Sequence, residues 1–139
     1  MNLNDCFAQG LLKKEAPDKA KAHQSLIIAD DKLAKAEHLH NLQVYDMALI
    51  NAYSAMFHGA RALLFRDGIR EKSHYGLFIY FKEKYGDKIE QKFLTELNAL
   101  RLERHEIFYG LEKNESTKSE SESILATAKS FVKKIKQMI

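Results

Sequence analysis

The sequence contains one cysteine, one proline and no tryptophan among its 139 residues. Because Cys6 has no second cysteine to pair with, a disulfide within the chain is excluded, and a reducing compartment is expected. One thiol also cannot build a structural zinc site, and His38 and His40 have the wrong spacing to bind a metal from one helix face. With few prolines and glycines to interrupt them, long helices are favoured.

The familiar catalytic motifs are also missing. The chain has no phosphate-binding glycine loop, no G-x-S-x-G and no H-E-x-x-H. We therefore expect no bound metal and no cofactor. The length predicts a single domain over residues 1–139. A net charge of +3 and a pI near 8.9 permit an acidic partner without requiring one.

No segment is predicted to cross a membrane. The most apolar stretch, residues 48–65, is interrupted by Asn51, Ser54, His58 and Arg61. The chain does not open with a basic and then apolar leader, so we expect a cytoplasmic protein.

Hydrophobic periodicity is helical throughout, and no stretch alternates as a strand would. The predicted fold is all-α: an up-and-down bundle of four to five main helices, preceded by a short N-terminal helix. The first expected helix is short, is capped by Asn4 and ends before Pro17, and the second runs from Pro17 to about His40. The third is Tyr45–Asp67, and the fourth is capped by Ser73 and ends near Tyr85. The fifth runs from about Lys88 to Tyr109, and the C-terminal helix follows a polar loop at 114–121.

The fifth of these helices carries an apolar stripe that includes one charged residue. The stripe consists of Phe93, Leu97, Leu100, Arg104, Ile107 and Leu111. Five of these residues are apolar, so the stripe is expected to face the core. An arginine on a core-facing stripe needs a carboxylate, a phosphate or a groove that stays wet, since its guanidinium cannot lose its charge.

A polar line runs beside that stripe, formed by Asn98, Arg101, His105 and Tyr109 at spacings of three or four residues. Histidine, arginine and tyrosine can together bind a phosphodiester, and metal-free RNA cleavage needs a base, an acid and a cation of these types. The other interpretation is a buried network in which Arg104 pairs with a carboxylate.

A second polar line, Asn51, Ser54, His58 and Arg61, lies on the otherwise apolar third helix. It either faces solvent, faces the Asn98–Tyr109 helix across a polar groove, or faces a second subunit. His58 and Arg61 are candidate substrate-binding residues. His74, at the start of the next helix, is interpreted as a surface histidine.

Several segments in order resemble the small archaeal-type proteins of the HEPN domain family. These segments are Asn4–Cys6, Gly10–Leu12, Ala55–Phe65 (AMFHGARALLF), Asp67–Gly68, Arg70–Tyr75 (REKSHY) and Leu100–Gly110 (LRLERHEIFYG). The resemblance implies a helical bundle that dimerises, with the two motif helices meeting at a cleft. It also implies a toxin-like role beside a minimal nucleotidyltransferase, and a metal-independent endoribonuclease activity in active members.

The active motif of such proteins is an arginine, then usually a polar residue, then a histidine four to six residues after the arginine. On this chain the arginine is Arg104 and the polar residue is His105, but Tyr109 holds the position of the histidine. Tyrosine is a poor base at neutral pH, although it can donate a hydrogen bond to phosphate. Two hypotheses follow. In the first, the protein cleaves RNA with Arg104, His105 and Tyr109 as catalytic residues and Asn98, Arg101, His58 and Arg61 binding substrate. In the second, it binds RNA, a nucleotide or its partner without cleavage.

Overall fold

The computed structural model describes residues 1–111 and 115–139, which form six helices and two short strands. Their bounds are α1 Leu3–Ala8, β1 Leu12–Lys14, α2 Lys19–Asn41, α3 Tyr45–Asp67, β2 Ile69–Glu71, α4 His74–Tyr85, α5 Gln91–Tyr109 and α6 Lys118–Met138. The all-α bundle with a short N-terminal helix is thereby confirmed. None of the described helices is long and apolar enough to span a membrane.

The central element is α3, which packs against α2, α4, α5 and α6. Small residues make this possible: Ala48, Ala52, Ala55, Gly59 and Ala62 are all buried. A Cβ atom at Gly59 would lie 3.5 Å from the ring of Phe131 on α6. Helices approach closely where side chains are small, so the position that the alanine pattern predicts for this helix is confirmed.

The two strands correct the expectation that the chain has none. β1 and β2 pair antiparallel, with Leu12 opposite Glu71 and Lys14 opposite Ile69. Each strand has three residues, which is too short for an alternating pattern to be visible in the sequence. Gly68 directs the chain from α3 into β2: its φ is +79°, and a Cβ there would lie 2.6 Å from the carbonyl oxygen of Glu15.

Most helix boundaries differ from the predicted ones by a few residues, but the first helix, expected to continue almost to Pro17, ends at Ala8. The cap of α1 is Asn2, not Asn4, and Asp18 caps α2 one residue after Pro17. Ser73 caps α4 as predicted. Thr117 caps α6, so the predicted loop ends earlier than residue 121, and its first residue, Asn114, lies outside the described residues.

The predicted core stripe of α5 is buried only in its first half. Phe93, Leu97 and Leu100 are buried, whereas Ile107 is partly exposed and Leu111, beyond the helix end, is fully exposed. The expectation that Leu111 faces the core is therefore wrong. Periodicity shows which residues share a face, but it does not show how far along the helix the neighbouring helices cover that face.

Candidate functional site

The guanidinium of Arg104 lies at the edge of the core. Its side chain is partly exposed, and together with Leu49 and Ile50 of α3 it lines a shallow cleft between α3 and α5. The guanidinium carbon is 5.5 Å from the centre of the Phe108 ring. The hydrophobic stem is thus packed while the charged end remains accessible.

Arg101 connects α5 to the start of α4. Its Nε and one terminal nitrogen donate hydrogen bonds to the side-chain oxygen of Asn98, at 3.2 and 3.0 Å. Its guanidinium carbon lies 5.2 Å from the centre of the Tyr75 ring, a cation–π arrangement. Asn98 therefore orients Arg101, and Arg101 points toward α4.

No carboxylate among the described residues forms an ion pair with Arg101 or Arg104. Within residues 1–111 and 115–139, the ion pairs of the structure do not include Arg101 or Arg104. The alternative in which Arg104 pairs with a carboxylate in a buried network is thus not found in this part of the chain. α5 thus carries two guanidinium groups one turn apart, the kind of side chain that binds carboxylates and phosphates in proteins.

His105 and Tyr109 lie together on the exposed side of α5. Their ring centres are 5.0 Å apart, and Tyr109 is 69% exposed. No hydrogen bond joins either ring to Arg104 among the residues that the structure describes. Both rings are free to contact a ligand from solvent.

His74 is the residue that sequence analysis missed. It is partly buried, and its Nδ1 lies 2.7 Å from the hydroxyl of Tyr53. Its ring also packs against Phe57, with 4.4 Å between ring centres. The surface interpretation of His74 is therefore wrong, because Tyr53 and Phe57, one turn apart on α3, form a wall beside the first residue of α4.

The positive charges of Arg101 and Arg104 affect the pKa values of both His74 and Tyr53. The pKa of His74 is lowered by burial and then by the charges of Arg104 and Arg101. The pKa of the Tyr53 hydroxyl is raised by burial, against the opposing effect of the same two arginines. His74 is thus a neutral ring beside two cations, and Tyr53 remains protonated.

The predicted substrate-binding residues on α3, Arg61 and His58, have different neighbours from those of Arg101 and Arg104. Arg61 Nε lies 2.7 Å from Oε1 of Glu71, a charge contact whose N–H direction is not aligned for a hydrogen bond. Arg61 also lies over Phe65, at 4.9 Å, and lines a groove beside α2 with Ser25. A carboxylate from β2 thus balances its charge.

His58, also on α3, is close enough to Arg61 and to Lys32 of α2 for their charges to affect it. Burial, and then the charges of Arg61 and Lys32 and the nearby His74, lower its pKa to about 4. Its Nδ1 is buried and makes no hydrogen bond to the described residues. Asn51 bonds to the carbonyl of Met47 in its own helix. A role for His58 and Arg61 in substrate binding stays a prediction.

The described part of the chain contains no cluster of side chains that could hold a metal ion. No group of three or more His, Cys, Asp and Glu side chains there is arranged to hold an ion. The cleft that Arg104 lines also contains the side chain of Glu103, and the donors near it on α5 are the side chains of Arg101, His105 and Tyr109.

Comparison with known proteins identifies the fold family. The profile of the HEPN domain matches residues 22–138. The chain belongs to the HEPN family. A relative from the archaeon Methanocaldococcus jannaschii, "Putative toxin MJ0605", is 32% identical over 136 residues, which cover 94% of this chain and 96% of the relative. The matched region of this HEPN domain includes α3, α4 and all of α5, and therefore every residue around Arg104.

Proposed function

We propose that this HEPN protein is a toxin that binds RNA through the phosphate backbone at Arg101 and Arg104 and cleaves it without a metal. The observation that carries the proposal is the pair of guanidinium groups without a carboxylate partner in the described residues. The name of the archaeal relative supports the toxin role. A phosphodiester matches the fork geometry of arginine, and RNA also supplies the 2′-hydroxyl that cleavage without a metal uses.

The reaction would be transfer of the phosphodiester to the neighbouring 2′-hydroxyl. A base removes the hydroxyl proton, O2′ attacks phosphorus, and the bond from phosphorus to the 5′-oxygen breaks as an acid protonates that oxygen. The products are a 2′,3′-cyclic phosphate and a 5′-hydroxyl. Arg104 stabilises the extra negative charge on the phosphorane oxygens.

His105 is the proposed base, and Tyr109 donates a hydrogen bond to phosphate. Their ring contact at 5.0 Å places them beside one another on the ligand-accessible side of α5. Cleavage of a short labelled RNA by wild type and His105→Ala tests this assignment. A large loss of rate is expected, and equal rates would dismiss His105.

A homodimer would complete the site. Phe108 near the end of α5 and Leu111 just beyond it are exposed, as is Leu102 in the middle of the helix; Phe108 is 51% and Leu102 is 52% exposed. Contiguous exposed apolar side chains mark interaction surfaces. We expect Phe108→Lys to produce a monomer by sedimentation, while the equally exposed Ile27→Lys on α2 leaves the dimer intact. A wild-type monomer would remove this part of the proposal.

The expected protein partner is a minimal nucleotidyltransferase acting as antitoxin. Co-expression of such a protein from the neighbouring gene should relieve growth arrest caused by this chain. Copurification of the two proteins would support the pairing, and continued arrest would count against it.

The decisive experiment is expression of the chain alone in a bacterial host. Growth arrest is expected, together with RNA fragments that carry 2′,3′-cyclic ends. Arg104→Ala should relieve the arrest. Arg70→Ala is the matched control, because Arg70 lies on β2 and its guanidinium carbon is 5.7 Å from the Phe65 ring. Arrest that is unaffected by Arg104→Ala contradicts the proposal.

A binding module without cleavage is the second candidate. It is favoured by Tyr109, which replaces the histidine of the family motif and is 69% exposed. RNA binding that depends on Arg104, with no cleavage and no growth arrest, would identify this function.

A further inference from the structure

The surroundings of His74 determine which of its two ring nitrogens carries the proton, and therefore which one can donate a hydrogen bond. The hydroxyl of Tyr53 lies 2.7 Å from Nδ1 of His74, and Tyr53 itself is only 2% exposed. A buried hydroxyl needs an acceptor for its proton. Within the described residues, Nδ1 of His74 is the acceptor available to it. Tyr53 therefore donates and Nδ1 accepts.

This direction of the hydrogen bond settles the tautomer. A neutral imidazole carries one proton, so acceptance at Nδ1 places that proton on Nε2. Neutrality follows from the surroundings of the ring: Phe57 packs against it at 4.4 Å, and Arg101 and Arg104 on α5 are the charged groups whose fields reach it. His58 on α3 is the other titratable neighbour. His74 thus presents an N–H donor through Nε2.

The helix that carries this donor is the one that Arg101 contacts. Tyr75, the next residue along α4, lies beneath the Arg101 guanidinium at 5.2 Å. Both arginines act on His74 and Tyr53 together. No described residue makes a hydrogen bond to Nε2 of His74. Nε2–H of His74 is therefore a donor without a partner among the described residues, on the helix that Arg101 contacts through Tyr75.

We propose that the Nε2–H of His74 donates to the same phosphate group that Arg101 and Arg104 bind, with Tyr53 as the positioning residue that holds His74 in this tautomer. This inference rests on the proposed phosphate-binding function and adds two residues to it. A neutral donor binds phosphate without adding a third positive charge to a site where two cations already repel. His74 in this state is a donor and cannot be the base that removes the 2′-hydroxyl proton.

The first test is binding of a short single-stranded oligoribonucleotide with a 3′ fluorophore, measured by anisotropy with the full chain. His74→Ala is expected to weaken binding about tenfold, the effect of losing one hydrogen bond to a charged group. His74→Gln should retain affinity within about threefold, because its amide can donate from a similar position. His38→Ala, at an exposed histidine of α2, is the control and should have no effect.

The second test does not depend on RNA, and its deciding measurement is made on the wild type. Proton–nitrogen correlation spectra of the wild-type imidazole rings should show His74 as the Nε2–H tautomer at neutral pH. Tyr53→Phe should convert it to a mixture of tautomers, while Tyr80→Phe, which removes a hydroxyl that donates to Asp67, should leave it unchanged. An Nδ1–H tautomer or a protonated ring in the wild type overturns the proposal.

The outcomes separate this inference from the proposed function. If Arg104→Ala weakens binding and His74→Ala does not, the arginines bind phosphate and His74 does not contribute. If neither substitution weakens binding, or the wild type does not bind the oligonucleotide, both proposals fail. Competition by AMP distinguishes a free nucleotide from a phosphodiester: displacement by AMP at lower concentration than by the oligonucleotide identifies a nucleotide site.

Discussion

Two arginines in this HEPN domain occupy similar positions and have opposite surroundings. Arg61 lies on the polar line of α3, Arg104 lies beside the polar line of α5, and each is partly exposed. Arg61 lies 2.7 Å from the buried carboxylate of Glu71, and its side chain covers Phe65. Arg104 has no such carboxylate in the described residues and lies instead beside Phe108.

The difference distinguishes an arginine whose charge is balanced within the fold from one that the described residues leave without a carboxylate. Glu71 is 9% exposed, so its charge needs a cation, and Arg61 supplies it. The side chain of Arg104 is packed along Phe108, and its charge has no carboxylate partner in the described residues, an arrangement that is favourable if an anion or water completes it. The four predictions below test this comparison, beginning with the largest effect.

Removal of Arg61 should destabilise the fold. In Arg61→Ala, Glu71 stays buried without its cation, and the free energy of unfolding is expected to fall by about 3 kcal/mol, the lower end for a broken buried pair since Arg61 is partly exposed. Urea unfolding followed by circular dichroism measures the change. The double variant Arg61→Met with Glu71→Leu should recover most of the loss. A change below about 0.5 kcal/mol would mean that the pair is as weak as a surface one.

Removal of Arg104 should weaken RNA binding with little effect on stability. Arg104→Ala is expected to cost about 1.5 to 3 kcal/mol of binding free energy, or roughly ten- to hundredfold in affinity, because a charge-assisted contact to phosphate is lost. Unfolding should change by less than about 0.5 kcal/mol. Anisotropy and urea unfolding on the same sample check both statements. A strongly destabilised Arg104→Ala would show that Arg104 is structural, like Arg61.

The pH dependence of stability should come in part from His58. Its pKa is lowered to about 4 in the folded protein, below the ordinary value of about 6.5. Protons then bind the unfolded state first, so stability is complete above about pH 6.5 and is lost as pH falls toward 4. From pH 7 to 5 the loss is expected to be about 1 kcal/mol, allowing for solvent screening.

Thermal unfolding of His58→Leu and of wild type between pH 7 and pH 5 tests this prediction. This variant should lose less stability than wild type over the same pH range, because the buried ring that resists protonation is gone. A replacement of exposed His23 by Leu should behave as wild type. Equal pH profiles for His58→Leu and wild type would show that other groups cause the acid sensitivity.

The salt dependence of RNA binding gives the smallest and most specific expected difference between the Arg104 and Arg61 variants. Each phosphate contact of a cation on single-stranded RNA contributes about 0.7 to the slope of log K against log salt. Arg104→Ala should lower the slope by about that amount, whereas the Arg61→Met, Glu71→Leu variant should keep it. An unchanged slope in Arg104→Ala would mean that Arg104 does not contact phosphate.

Most of the fold could be predicted from the sequence. Helical periodicity placed the six helices within a few residues, and the alanines and Gly59 of α3 predicted its central position. Leu111 was misplaced because the periodicity of α5 continues past the point where its neighbours end. The β1–β2 pair was missed because three residues are too few to show a strand pattern.

The candidate site was predictable only along one helix. Asn98, Arg101, Arg104, His105 and Tyr109 are placed by helical spacing, and the Asn98–Arg101 hydrogen bonds follow from a separation of three residues. Tyr53 and His74 are separated by 21 positions in the chain. No periodicity connects them, because their contact depends on the turn at Gly68 and on how α4 packs against α3.

The sequence by itself determined which side chains share a helix face, since that depends only on the local geometry of the backbone. The tertiary structure alone decided which of those faces meet a carboxylate, a ring or solvent. The reason is that the charge balance of Arg61 and the surroundings of His74 depend on residues brought in by other elements: Glu71 from β2, and Tyr53, Phe57 and the α5 arginines around α4.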